Sequence, residues 1–245
     1  MGARPVMGKT NLALSAAFNI ARNGRTVVIF SAQLKNTWVA MRLATFDSGI
    51  EARQLAKGHM SPAEWAALQE KLRDLSALPL LIDDTESMDT DHIAQQIGLL
   101  EQGYNVGLVV VDGLQELLPS RHLNHKELHH ETTAALNLLK RVALKSGIPI
   151  LVTSQLGHSV DKRRGHRPIL ADLRHFQHIQ HCLDSVWLLY RESYYDHTTD
   201  DKNLVEIILA TQRNRITGSI WLDSDPCSGK FQSLQEMFPA LDKPR

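Results

Sequence analysis

The chain has 245 residues, 27 Lys+Arg against 27 Asp+Glu, a formal net charge of zero and 43% hydrophobic residues. That suits one large α/β domain with a substantial core and excludes disorder, collagen-like repeats and coiled coil as dominant themes. Two cysteines, Cys182 and Cys227, are too few for a disulfide framework, and no run of about 18 apolar residues or signal-like opening occurs, so a cytoplasmic protein without membrane contact is expected.

In chain order, Thr10 to Asn23 reads as a helix with apolar Leu12, Ala16, Ala17 and Ile20, stopped by Gly24. Thr26 to Phe30 is a continuous apolar run of the kind buried on both faces of a parallel sheet. Ser61, Pro62 and Glu64 form a capping box that opens the next helix. Pro79 to Ile82 reads as a strand, and Asp89 caps a helix that ends near Gly103. Gly107 to Asp112 is the clearest buried strand. A long helix from about Glu127 to Lys145 and a strand from Pro149 to Ser154 follow. Ser185 to Leu189, Leu204 to Ala210 and Ser219 to Leu222 are strand-like, with no convincing helix between the last two. Strand–helix alternation with a β-rich end predicts a mostly parallel sheet with an antiparallel extension.

Charge is unevenly placed on this neutral chain. From Ser120 to His175 ten Lys/Arg face four acids, and nine of the twelve histidines lie between Arg121 and His181. A positive middle is the footprint of a polyanion site, although a merely solvated basic face has the same composition. Gly8-Lys9-Thr10 stands directly before the first helix. There, backbone N–H groups can cradle phosphate, Lys9 adds a point charge, and the Thr10 hydroxyl can ligate Mg²⁺. Asp112, at the carboxyl end of its strand, is the expected second Mg²⁺ ligand. ATP and Mg²⁺ are therefore the expected cofactors. The position where a P-loop carries its first glycine is Ala3, with Gly2 one residue earlier.

The segments GARPVMGKTNLALSAAFNIA, FSAQL, LLIDDT, VVVDGLQEL, ILVTSQL, RPILADLR, LLYRESYY and LATQRNRITG occur in order from Gly2 to about Gly218. Together they resemble the DnaB-type replicative DNA helicases, whose C-terminal domain is a RecA-like ATPase. The resemblance implies a single RecA-like P-loop domain over residues 1–245, lacking the strand before the loop and the family's N-terminal domain. It implies ATP-driven unwinding by a hexameric homo-oligomer that holds single-stranded DNA. Gly8, Lys9, Thr10 and Asp112 match its nucleotide and Mg²⁺ positions. Gln155 matches its γ-phosphate sensor, and Arg213 its arginine finger, acting in trans. The loops after Asp112 and Gln155 match channel-facing segments, which makes Lys162, Arg163, Arg164 and Arg174 the candidate DNA contacts.

Departures from the family are informative. Its FSLEM glutamate, which activates the attacking water, is here Gln33, which cannot accept a proton at neutral pH. No acid in the segment from Phe30 to Asn36 replaces it, so slow hydrolysis is expected, by about 10²–10⁴ if the base alone is lost. The lysine two residues before the arginine finger is Thr211, and the Asn-Gly turn that follows is Asn214-Arg215. The loop from His175 to Asp184 has lost the family's glycine and its acids before Asp184. A non-hydrolysing nucleotide-binding regulatory protein or decayed helicase paralogue is the alternative reading. His175, His178 and His181 beside Cys182, with His125 and His129, lack a zinc-site spacing and read as exposed loop histidines. Trp38, Trp65, Trp187 and Trp221 read as packing residues, and Phe176 as the one aromatic suited to base stacking.

Overall fold

The computed structural model describes residues 1–46, 48–117, 125–173, 176–212 and 217–234. The chain opens with a two-residue strand, β1 (Gly2–Ala3), and the helix α1 (Lys9–Arg22). β2 (Thr26–Ser31) leads to α2 (Asn36–Thr45), α3 (Ala52–Lys57) and α4 (Pro62–Ser76), then to β3 (Leu80–Asp83) and α5 (Thr90–Leu100). β4 (Val106–Asp112) runs into a 3₁₀ turn, Leu114–Leu117, and α6 (His125–Ser146) precedes β5 (Ile150–Val152) and β6 (Ser154–Gln155). The remainder is α7 (Phe176–Ile179), β7 (Ser185–Tyr190), α8 (Glu192–Tyr195), β8 (Leu204–Gln212), β9 (Gly218–Ser224) and β10 (Phe231–Ser233).

The strands form two hydrogen-bonded blocks, β3-β2-β4-β5 and β10-β9-β8-β7-β1-β6. The first is parallel throughout. In the second, β1 runs parallel to β6 and β7, and β7 to β10 are antiparallel. The parallel sheet with an antiparallel extension is thus as the sequence predicts. Ahead of the loop, where no strand is expected, Gly2–Ala3 pairs with Ser154, Gln155 and Leu188. A side chain at Gly2 would come within 2.8 Å of Leu156, so glycine lets β1 enter this slot.

Every residue of β2 and β4 is buried. One face, with Val27, Ile29, Leu108 and Val110, packs under Ala13, Leu14 and Ala17 of α1. The other, with Val28, Phe30, Val109 and Val111, packs on Ile93 and Ile97 of α5 and Leu139 of α6. Burial on both faces, roughly 1.5–3 kcal/mol for each large aliphatic side chain, is why these strands read as unbroken apolar runs. The local signals also hold: Glu64 and Ser61 close a reciprocal capping box, and the Asp89 carboxylate accepts from the His92 N–H at 2.8 Å. Of the tryptophans, Trp187 packs against the core. Trp38, Trp65 and Trp221 are 44–46% exposed, which corrects their reading as packing residues. Among the described residues no helix is long and apolar enough to cross a membrane.

Candidate active site

The loop between β1 and α1 is built on two left-handed residues, Val6 (φ +68°) and Gly8 (φ +91°). Gly8 is the N-cap of α1, whose first turn has neither a capping side chain nor an acid. The first amides of α1 therefore keep their hydrogen-bonding capacity for an anion, and the positive end of the helix dipole faces it. A Cβ at Gly8 would meet the Phe231 ring at 2.9 Å. The Phe231 N–H donates to Ser15 Oγ at 3.0 Å, so β10 braces the loop from below. No periodicity in the short Phe231–Ser233 segment marks this role.

At the carboxyl edge of the sheet, the Thr10 hydroxyl donates to Asp112 Oδ2 at 2.8 Å. Thr153 donates to Asp112 Oδ1 at 2.6 Å and accepts from the Gly113 N–H at 2.9 Å. Asp112 is 3% exposed, and this carboxylate beside a hydroxyl is a hard-oxygen pair suited to Mg²⁺. With the open amides and the cradle that a Cβ at Gly8 would fill, the residues fit a Mg²⁺-nucleotide. Gly8, Lys9, Thr10 and Asp112 are thus brought together at one edge.

Gln33 follows β2, exposed at the same edge, and its Nε2 donates to Glu116 Oε1 at 2.8 Å. Glu116 lies 83 residues further along the chain, and reasoning confined to Gln33's own segment misses it. Gln155 is exposed at the end of β6. Its N–H donates to Gln115 Oε1 at 3.3 Å, and Gln115 Nε2 donates to Ser154 Oγ at 2.8 Å. The segment after β4 is thereby stitched to β6.

Arg4, inside the nucleotide-loop segment but given no role there, is 9% exposed. It donates to the Leu156 carbonyl at 2.8 Å and to both Asp161 oxygens at 3.1 and 2.6 Å. Those hydrogen bonds hold the Asp161 carboxyl below the usual carboxylate range. The basic loop is less free than its sequence implies. Arg163 forks onto the buried Asp172 at 2.7 and 2.9 Å, and Arg167 pairs with Glu206. Lys162 and Arg164 are exposed. Arg174, Arg213, His175, Asn214 and Arg215 lie outside the described residues, as does the His125 side chain. The His129 and His178 rings lie 4.0 Å apart, tilted by 44°, yet among the described residues no group of three or more His, Cys, Asp or Glu could hold a metal. Phe176 packs partly buried against the cluster of Leu156 and Leu173, which corrects its reading as a stacking platform.

The family model of the DnaB-like helicase C terminal domain matches residues 1–233. The chain belongs to the DnaB-like helicase family. It is 32% identical over 245 residues to the replicative DNA helicase DnaB of Geobacillus stearothermophilus, covering 100% of this chain and 54% of that one. It is 32% identical over 239 residues to the replicative DNA helicase DnaC of Bacillus subtilis, covering 97% and 52%. The chain thus spans about half the length of the curated relatives it matches. A solved DnaB-like replicative helicase, described with its interactions with primase, superposes with a TM-score of 0.86 at 27% identity, over 95% of this chain and 56% of that one. The RadB recombinase superposes with a TM-score of 0.55 at 17% identity, over 95% and 89%, a likeness of fold alone. Within the DnaB-like family this chain is the C-terminal, RecA-like ATPase domain.

Proposed function

We propose that this domain binds Mg²⁺-ATP at Gly8, Lys9, Thr10 and Asp112 and works within a replicative helicase ring of identical subunits on single-stranded DNA. The observation that carries the reading is the 2.8 Å contact between Thr10 and Asp112, set at the uncapped start of α1. Bound there, Mg²⁺ neutralises phosphate charge. Lys9 reaches the phosphates, and Gln155 senses the terminal one. Arg213 serves the ATP of a neighbouring subunit. Lys162, Arg163, Arg164 and Arg174 belong to the DNA-facing side, with Lys162 and Arg164 as its exposed cations and Arg163 tied to Asp172.

Gln33 favours a second reading, a nucleotide-binding relative that hydrolyses slowly or not at all, because an amide takes no proton from water. Binding and turnover are therefore measured separately. Lys9→Ala is expected to weaken Mg²⁺-dependent binding of a fluorescent ATP analogue by about 10–100-fold, the loss of one charge-assisted contact. Equal binding by the folded variant refutes the nucleotide site.

A further inference from the structure

Gln33 and Glu116 meet across Gly113, the residue that follows Asp112. Gly113 has φ +105°, and a Cβ on it would stand 3.0 Å from Gln33 Cγ and 3.4 Å from Glu116 Oε2. Its bare backbone is therefore what lets the two side chains close over the end of β4. Glu116 is held firmly. Its N–H donates to the Gly113 carbonyl at 3.1 Å. Leu114 and Leu117, on either side of it in the 3₁₀ turn, are 4% and 5% exposed, and the Leu114 N–H donates to the Thr153 carbonyl at 3.0 Å. Both Gln33 and Glu116 line a cleft of about 280 Å³ at the carboxyl edge of the sheet.

Two other acids line that cleft, and both are engaged. Asp84 accepts from the Asn36 N–H at 2.8 Å, and Glu86 pairs with Lys35 at 2.8 Å. Glu116 instead accepts from a neutral amide on Oε1. The geometry points to Glu116 as the general base for ATP hydrolysis, a carboxylate delivered by the turn after β4 in place of the one missing at Gln33. Gln33 Nε2 fixes the carboxylate, and the Gln33 carbonyl oxygen is left to orient the attacking water. In the step, the water oxygen bonds to the γ-phosphorus while the bond to the β,γ-bridging oxygen breaks. ADP leaves with that electron pair, and the water's proton passes to Glu116 Oε2, which releases it to solvent. The inference rests on the nucleotide-binding reading above.

Phosphate release in the presence of an oligo-dT strand tests it, with ATP-analogue binding followed in parallel. Glu116→Gln keeps an acceptor for Gln33 and loses only proton affinity. It should reduce turnover about 10²-fold or more while leaving analogue binding unchanged. The exchange variant Gln33→Glu/Glu116→Gln returns a carboxylate to the other side of the same hydrogen bond. It should recover turnover to within about tenfold of the unaltered chain, a rescue that a purely structural role would not give. Full activity of Glu116→Gln overturns the proposal, as does an exchange variant no faster than Glu116→Gln. Turnover of the unaltered chain no faster than that of Lys9→Ala also overturns it, while Lys9-dependent analogue binding would still uphold the nucleotide site.

Discussion

At Val6 a β-branched residue, 81% exposed, holds φ +68°, so little burial offsets the steric cost of that backbone angle. Such residues cost roughly 1–2 kcal/mol in the left-handed region, and they persist where the surrounding structure over-determines them, often at ligand clamps. β1 on one side and α1 on the other fix the path of this loop. Val6→Gly is expected to relieve the strain, less the extra entropy that glycine loses on folding. The net gain should be about 1 kcal/mol, or roughly 2–4 °C in Tm for a domain of this size. An unchanged or lower Tm by calorimetry would show that Val6 is not strained. Gln33 gives a different lesson. Its identity was legible in the sequence as the loss of a carboxylate, but its partner was not, because Glu116 reaches it only through the parallel pairing of β2 with β4.

The loop from Leu156 to Leu173 carries four cations whose roles the sequence cannot separate. The fold separates them. Arg163 neutralises Asp172, whose side chain is 2% exposed, and Arg167 neutralises Glu206, 4% exposed, whereas Lys162 and Arg164 face solvent. Arg163→Ala should therefore cost about 2 kcal/mol or more, because it strands a buried carboxylate. Lys162→Ala/Arg164→Ala should leave Tm nearly unchanged, yet weaken single-stranded DNA binding and flatten its dependence on log salt by about 1.4. Fluorescence anisotropy across a salt series checks this, and a slope that ignores the pair removes them from the DNA surface. Long or strongly patterned elements such as α1, α4, β2 and β4 were readable because periodicity and caps encode them locally. β1 and β10 were not, since two or three residues carry no period and only neighbouring strands make them strands.

Across the whole molecule, three guanidinium–carboxylate pairs fasten that loop: Arg4–Asp161, Arg163–Asp172 and Arg167–Glu206. Burial pushes the Asp172 and Glu206 carboxyls up, but hydrogen bonds from their arginines and from Ser159, Ser219 and the Ile169 N–H outweigh it, leaving both below the usual range. Carboxyls lowered by folding take up protons first in the unfolded chain. Their stabilisation is complete above the ordinary carboxylate range, about pH 4, and disappears as pH falls through the folded values. Tm should thus hold from neutrality to about pH 5 and drop below about pH 4. In Asp172→Asn the acid limb should be shallower; an identical limb would mean that other carboxyls govern acid unfolding.

The 27 cations and 27 acids of the chain balance overall, and the excess of cations in its middle segment was legible in the sequence. Which of its charges are already spent became visible only in three dimensions. Thr153, fully buried, sits where the chain leaves β4's side for β1's: its N–H donates to the Val111 carbonyl, and the next residue, Ser154, donates to Met1. This residue is therefore a pivot between the parallel and the mixed block, and its hydroxyl grips Asp112. In the proposed ring, torque applied to the outer strands by a neighbouring subunit would reach Asp112, the proposed Mg²⁺ carboxylate, through one stiff, β-branched side chain.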